Sequence, residues 1–124
     1  MFKRTASLSL KALSAAMLLT IGGQALAASA FVTANVTRVL MSGDERWGGC
    51  MALLSVNVQA HLPSCGPSWV SFSCTGDFAD KVQAYRMVDQ AQLALTSGKQ
   101  VTVQVHDDKK HNGYCYASRI DVNR

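Results

Sequence analysis

The sequence predicts an all-β domain with one helix, an OB-fold-like five-stranded Greek-key barrel. Three observations lead to this fold class: five strand-like segments, one amphipathic helix between the third and fourth of them, and four cysteines in a chain of 124 residues. Three strands, a helix and two strands is the element order of the OB-fold. A closed barrel also removes the exposed strand edges of a small sheet. An open α+β sandwich is the alternative fold class.

Residues 1–27 have the features of a cleaved bacterial export signal. Three basic residues come first, namely Lys3, Arg4 and Lys11. The apolar run over residues 12–21 follows, and it is about half of the roughly 20 residues that a membrane-spanning helix needs. The small-x-small pattern of residues 25–27 predicts cleavage before Ala28, with cleavage after Ala28 or Ala30 as alternatives. We therefore expect a periplasmic or secreted protein with one domain over residues 28–124 and no membrane span after cleavage.

Removal of the signal peptide changes the charge of the protein. It takes away three of the twelve basic residues and no acidic residue, so nine basic residues remain against eight acidic ones and the net charge is +1. Such a charge gives little support to binding of nucleic acid. The predicted second and third strands also carry no lysine or arginine, which an OB-fold that binds single strands would interleave with aromatic residues. No nucleic-acid partner is expected.

The first three predicted strands span residues 31–41, 50–59 and 68–74. In the first strand, apolar side chains alternate from Val32 to Val36 and then shift parity to Val39 and Met41. This shift predicts a bulge midway along the strand. Residues 61–67 are predicted to form a loop, because both prolines of the chain fall inside them.

The helix is predicted to begin near Asp77, a good N-cap residue, and to stop at Gly98. One helical face carries apolar side chains expected to pack on the barrel, namely Ala84, Met87, Val88, Ala91 and Leu95. Residues 101–106 alternate valine with polar residues and predict the fourth strand. The polar residues 107–113 predict an exposed loop, and residues 114–122 predict the fifth strand.

The four cysteines, Cys50, Cys65, Cys74 and Cys115, predict two disulfides, because an even number in a small exported domain is typical of such bonds. No two of them have the close spacing of a structural zinc site. Spacing alone leaves three pairings open. If the second and third strands form an antiparallel hairpin, Cys50 at the start of one faces Cys74 at the end of the other. Cys65 is then left for Cys115 at the entry to the fifth strand.

Parts of the C-terminal half resemble a known family of binding proteins. Residues 68–72 (SWVSF), 84–85 (AY) and 94–103 (ALTSGKQVTV) are similar to the B subunits of AB5 toxins, particularly the subtilase-cytotoxin type, and to small bacterial secreted proteins of the same architecture. The Ser-Gly-Lys-x-Val turn carries most of this resemblance. It implies an OB-fold, a homopentamer, and binding of cell-surface glycans through loops or strand edges. No sugar-binding residue of that family is carried over to this chain.

Four residues are candidates for a binding surface. Arg46 and Trp47 lie in a charged turn, where a tryptophan can stack on a sugar or anchor a protein partner. The interpretation we favour for Trp47 is that it folds back to cap the barrel. Tyr114 and Tyr116 flank Cys115 on the face opposite to it, and form either a ligand platform or a cover over the disulfide.

No enzymatic activity, metal or cofactor is predicted. The histidines are expected to lie exposed in or beside loops; they are His61, His106 and His111. Adjacent strand residues point to opposite faces, so His106 is poorly placed to pair with Asp107, and no serine lies in a G-x-S-x-G context. A metal site built from His106, Asp107, Asp108 and His111 is not required by their spacing.

The function predicted from the sequence is that of a non-catalytic binding module for a glycan or a protein surface. Two alternatives from other classes stay open. One is a ligand-free structural or accessory periplasmic protein, and the other is a small hydrolase or metal-dependent enzyme.

Overall fold

The computed structural model describes residues 26–124, which form a closed five-stranded barrel with one helix. The strands are β1 (Ser29–Met41), β2 (Cys50–Leu54), β3 (Trp69–Ser71), β4 (Gln100–His111) and β5 (Tyr114–Val122), and the helix is α1 (Lys81–Ser97). The helix lies between β3 and β4 in the chain, so the predicted fold class is confirmed. The basic and apolar parts of the predicted signal peptide lie outside the described residues. Over residues 26–124, no helix has the length and apolar character that crossing a membrane requires.

The barrel closes in the order β1-β2-β3-β5-β4, with β4 paired back to β1. Neighbouring strands are antiparallel except β3 and β5, which run parallel and pair through Ser71 and Tyr116. β1 serves two partners because its register shifts between Val36 and Arg38, so that one half pairs with β4 and the other with β2. The bulge predicted in the first strand is therefore confirmed.

Small and β-branched side chains fill the interior of the barrel. Alternate residues of the strands point inward and are fully or almost fully buried; they include Val32, Ala34, Ala52, Val70, Val101, Val103 and Val105. The predicted alternation of β4 is thus confirmed, because its three valines are buried and the polar residues between them are half-buried. Strict alternation means that the outer face of each strand is available to build a surface site.

The helix begins at Lys81, four residues later than predicted. Asp80 is the N-cap, and its Oδ1 accepts a hydrogen bond from the Val82 nitrogen at 2.9 Å. Asp77 instead accepts a hydrogen bond from the Thr75 hydroxyl at 2.8 Å. The nitrogen of Phe78, which follows Asp77, donates to the Ser73 hydroxyl at 3.0 Å, so this segment is held in the loop and not in the helix. The predicted stop at Gly98 is confirmed.

The helix packs a narrower face on the barrel than predicted. Its buried residues are Ala84, Val88, Ala91 and Ala94. Met87 is half-buried, and the prediction for Leu95 is wrong because its side chain is exposed. Leu95 stands about 100° around the helix from Ala94, which takes the buried place instead. Three alanines on this face let the helix backbone lie close to the barrel.

β2 and β3 are shorter than predicted, because the chain leaves each strand to bury a side chain or form a cross-link. β2 ends at Leu54, and a 3-10 turn (Val58–Ala60) then buries Val58 in the core. β3 ends at Ser71, since Ser73 has a φ of 63° and turns the chain toward the Cys74 disulfide.

The predicted exposed loop over residues 107–113 is wrong. β4 continues through these positions to His111, with its register shifted between His106 and Lys110. A two-residue turn then leads into β5, and both of its residues have positive φ, 51° at Asn112 and 84° at Gly113. These values match a type I′ hairpin, for which Asn-Gly is a favoured sequence.

Both predicted disulfides are confirmed, and together they use all four cysteines. The Cα atoms lie 5.6 Å apart in Cys50–Cys74 and 5.3 Å apart in Cys65–Cys115. The first bond joins the start of β2 to the loop after β3. The second joins the loop between β2 and β3 to the start of β5.

We predict that loss of Cys65–Cys115 destabilises the fold more than loss of Cys50–Cys74. The two bonds span 50 and 24 residues, and the chain-entropy relation gives a loss of about 4 kcal/mol and about 3.5 kcal/mol, respectively. Urea unfolding of the two double-alanine variants, each the control for the other, measures the difference. Equal losses, or a greater loss for Cys50–Cys74, would show that native contacts rather than loop length set the effect.

Candidate functional site

Three aromatic side chains converge on a surface cleft of about 180 Å³. Trp47, Trp69 and Tyr114 form its walls, and Leu40 and Met51 form its floor. We call this the aromatic cleft. Its residues come from β1, the loop after it, β2, β3 and β5, so the cleft exists only in the closed barrel.

The floor of the cleft lies on the outer face of the sheet. Met51 pairs with Leu40 of β1 on one side and with Ser71 of β3 on the other. Its chain neighbours Cys50 and Ala52 belong to the core, so Met51 points out of the barrel. The Met51 side chain is nevertheless only 1% exposed, because the side chains around the cleft cover it. The floor is therefore apolar and almost dry.

The Trp47 wall is set by the loop between β1 and β2. A 3-10 turn (Glu45–Trp47) ends at Gly48, whose φ is 68°. A Cβ at Gly48 would overlap the Ser71 hydroxyl and the His111 ring, so only glycine lets the loop pack this closely on the sheet. The Ser71 hydroxyl also donates to the Trp47 carbonyl at 3.4 Å.

The Tyr114 wall is set by the loop between β2 and β3. The Tyr114 ring lies against Gly66, where a Cβ would overlap it. The Gly66 nitrogen donates to the Gly113 carbonyl at 2.7 Å, and the Lys110 ammonium donates to the Ser64 carbonyl at 2.8 Å. The Cys65–Cys115 disulfide lies between these contacts, so the position of the tyrosine is fixed from both sides.

The rings of Trp47 and Tyr114 are in contact with each other, so a flat group can lie against their exposed faces but not between them. The ring centroids of Trp47 and Tyr114 are 5.9 Å apart and their planes are tilted by 44°. Trp69 lies two residues before Ser71 on the same outer face of β3. All three aromatic residues are half-buried, so each ring is held by packing while part of its surface reaches solvent.

Arg46 lies next to the cleft in sequence but does not line it. Its Nε atom donates to Asp44 Oδ2 at 2.9 Å, and its side chain is 73% exposed. The hydrogen bonds from Arg46 lower the pKa of the Asp44 carboxyl below its usual value. Arg46 thus stabilises the loop that carries Trp47, and its positive charge is paired with the Asp44 carboxylate.

Tyr114 and Tyr116 lie on the same outer face, but the structure does not bring them together as one platform. The side chain of Tyr116 is buried under Phe78, with ring centroids 5.7 Å apart, and lies 6.2 Å from the His106 ring. Burial raises the pKa of the Tyr116 hydroxyl. Tyr116 therefore covers the β5 surface beside β3, and Tyr114 alone belongs to the cleft.

Trp69 is a residue of the cleft that was not among the four candidates from the sequence. The structure places it half-buried at the cleft. The alternation of β3 carries the missing signal, because Val70 and Phe72 point into the core and Trp69 must then point outward.

The prediction that His111 is exposed is wrong, because β4 carries it under the loop after β3. The His111 side chain is 7% exposed, and its Nε2 lies 3.2 Å from the Ser73 hydroxyl. Its ring packs 4.7 Å from Phe78, and its Nδ1 lies 3.8 Å from Asp77. His111 also touches the Gly48 backbone position, so it supports the Trp47 wall from below.

Ser73, His111 and Asp77 touch in the order of a hydrolytic triad, but Ser73 is not accessible. The side chain of Ser73 is fully buried, and its oxygen accepts a hydrogen bond from the Phe78 nitrogen at 3.0 Å. This network holds the loop after β3 on the barrel. Across residues 26–124, no three His, Cys, Asp or Glu side chains are grouped so as to hold a metal ion.

A second, larger groove of about 460 Å³ lies between the β1–β2 loop and the start of the helix. Its lining includes Glu45, Lys81, Tyr85 and Cys74, together with residues of the β1–β2 loop. Its charges are of both signs and its aromatic ring is solitary. The aromatic cleft is the better candidate because its rings converge and are fixed by the fold.

No family model matches the chain, and no match was found among curated proteins or solved structures. The resemblance to the B subunits of AB5 toxins stays a prediction. The geometry of the aromatic cleft is therefore the basis for a functional proposal.

We predict that Gly48→Ala distorts the Trp47 wall, whereas Gly43→Ala in the same loop does not. The first substitution adds a Cβ against Ser71 and His111 at a positive φ, and the second adds one in open space. The cost of the first is about 1–3 kcal/mol. Urea unfolding measures this cost, and near-ultraviolet circular dichroism reports the Trp47–Tyr114 contact. Equal effects of the two substitutions would contradict the close packing of Gly48.

We predict that acid weakens the fold through His111. Burial lowers the pKa of His111, while the nearby Asp77 opposes this effect. Below the usual value of 6.5, the unfolded chain takes up a proton that the folded protein resists, so the free energy of unfolding falls as the pH falls. His111→Gln should reduce this loss between about pH 7.5 and about pH 5.5.

The control is His61→Gln, because His61 lies exposed in the loop between β2 and β3. In this variant, the free energy of unfolding, measured with urea at both pH values, should fall between them by the same amount as in the wild type. If His111→Gln shows the same fall in the free energy of unfolding as the wild type, the role assigned to His111 is contradicted.

Proposed function

We propose that the protein is an exported, non-catalytic binding module that holds one neutral sugar ring of a glycan in the aromatic cleft. The observation that carries this proposal is the convergence of Trp47, Trp69 and Tyr114, which come from three separate segments, over one apolar floor. The three rings lie outside the barrel core, where they cover Met51 and leave part of their own surface to solvent. Their half-buried state suits them to contact a ligand.

Aromatic walls match the chemistry of a sugar ring. One face of a pyranose carries C–H groups that can lie on an indole or phenol ring, while the polar edges of tryptophan and tyrosine can reach its hydroxyl groups. The volume of about 180 Å³ is below the range of about 300–1,000 Å³ that is usual for pockets that enclose a small molecule. The cleft therefore suits one ring of a larger ligand better than a whole small molecule.

The charges around the cleft favour a neutral ligand. The guanidinium of Arg46 is paired with the Asp44 carboxylate. β2 and β3 contribute no lysine or arginine. β2 and β3 therefore offer no positive charge to an acidic glycan or a nucleic acid, which supports a neutral sugar over either of them. Arg38 of β1 lies on the same face, opposite Leu53, which is the β2 partner of Trp69.

The position of the cleft in the barrel supports a binding role. OB-folds bind oligonucleotides and oligosaccharides on the face of strands 2 and 3 and on the loops between strands 1 and 2 and strands 4 and 5. The aromatic cleft lies on this face, with Trp47 from the first of these loops and Tyr114 beside the second. This support is an analogy of fold, so the proposal depends on the residues of the cleft.

The proposed compartment is the periplasm or the outside of a bacterial cell. Disulfides form and persist in such oxidising surroundings, and this protein has two disulfides that cross-link the barrel. The export signal stays a prediction. A homopentamer is a further proposal, supported by the resemblance to the B subunits of AB5 toxins. The competing proposal is a ligand-free accessory protein in which the aromatic residues only cap the sheet.

We predict that Trp47→Ala or Tyr114→Ala weakens glycan binding about tenfold or more, because each removes one stacking wall. An array of neutral and acidic glycans identifies the ligand, and titration calorimetry of the wild type and variants gives the affinities. Tyr85→Ala is the matched control, since Tyr85 is an exposed aromatic residue outside the aromatic cleft. Binding lost equally in all three variants, or no binding to any neutral glycan, would contradict the proposal.

A further inference from the structure

Ala28 is the first of the described residues, 26–124, that forms hydrogen bonds with the barrel. The Ala28 nitrogen donates to Asp107 Oδ1 at 2.7 Å, and the Asp107 nitrogen donates to the Ala28 carbonyl at 3.0 Å. Ala27 is exposed, and Leu26 is 91% exposed. Asp107 thus forms hydrogen bonds with both the backbone nitrogen and the backbone carbonyl of Ala28.

We propose that cleavage of the bond between Ala27 and Ala28 creates a cationic N-terminus that forms an ion pair with the Asp107 carboxylate. This inference rests on the proposed export of the chain, and it is independent of the ligand. In the cleavage step, water adds across the peptide bond, the carboxylate stays with Ala27, and the amine of Ala28 takes up a proton. An α-amino group is largely protonated at neutral pH, so the hydrogen bond of the uncut chain becomes a charged pair.

The geometry distinguishes this cleavage site from its alternatives. Cleavage after Ala28 would remove the residue that Asp107 holds, and cleavage after Ala30 would also remove the pairs of Ser29 with His106 and of Ala30 with Val105. Cleavage before Ala28 keeps both hydrogen bonds between Ala28 and Asp107 in addition to the whole of β1. It also places the new charge 2.7 Å from a carboxylate oxygen.

The irregular part of β4 explains why Asp107 can reach the terminus. The register of β4 shifts between His106 and Lys110, and such a shift can redirect a side chain. Asp107 is half-buried against the start of β1, whereas the next residue, Asp108, is exposed. These neighbouring carboxylates give a matched pair for a test.

The first experiment is the intact mass of the full chain after expression in a bacterium and recovery from the periplasm. A mass that corresponds to a chain beginning at Ala28 supports the inference. A chain beginning at Ser29 or Phe31 overturns it and leaves the glycan proposal standing, since the cleft is intact in those products. Retention of residues 1–27 overturns the inference together with the proposed export.

The second experiment measures how fast the Ala28 amine is acetylated near neutral pH in the purified mature protein. Asp107→Asn keeps a hydrogen-bond acceptor but removes the charge, so the amine should react about two- to fivefold faster, as expected for an exposed ion pair. Asp108→Asn should leave the rate unchanged. Equal rates in the wild type and Asp107→Asn would overturn the ion pair.

Discussion

The two disulfides are the constraint on which the rest of the structure depends. β3 has only three residues and meets β5 through one pair, so backbone hydrogen bonds alone hold this side of the barrel weakly. A domain of about 100 residues also has a modest core. Cys65–Cys115 crosses this weak side from the β2–β3 loop to β5, and Cys50–Cys74 joins the start of β2 to the loop after β3. Together the disulfides fix the β2–β3 loop and the loop after β3, which backbone pairing between strands does not fix.

The same constraint positions the proposed site. Cys50 follows directly after the loop that carries Trp47, and Cys115 follows directly after Tyr114. Two of the three walls of the aromatic cleft, Trp47 and Tyr114, therefore lie within three residues of a cross-link. Side chains that are fixed before binding lose little conformational entropy when a ligand arrives. A shallow cleft on a small barrel can in this way bind one ring without enclosing it.

Much of the fold could be predicted from the sequence because periodicity and strand order determine it. The cysteine pairing followed from which strand ends meet, and it is confirmed. The helix start could not be predicted, since Asp77 and Asp80 are equally good caps and only the tertiary position of the loop chooses between them. His111 was misplaced because its polar neighbours suggested a loop, although Asn112-Gly113 is a hairpin signal.

The aromatic cleft was harder to predict than the fold. Trp47 and Tyr114 were candidates from local sequence, but nothing local shows that they meet across the barrel. Trp69 could have been found from the inward alternation of its neighbours. Tyr116 was paired with Tyr114 because the two flank one cysteine, but Phe78, a residue from the loop after β3, covers Tyr116 and leaves Tyr114 uncovered. Local patterns give the face of a side chain, and tertiary packing decides what covers it.

The most direct test of the account is a chemical-shift titration of the mature, disulfide-bonded protein with neutral monosaccharides such as galactose and glucose. If the aromatic cleft binds a sugar ring, the indole N–H signals of Trp47 and Trp69 and the ring signals of Tyr114 should move together and saturate. The ring signals of Tyr85 should stay in place. Shifts centred on Tyr85 and the helix, or no saturable shift with any neutral sugar, would contradict the central claim.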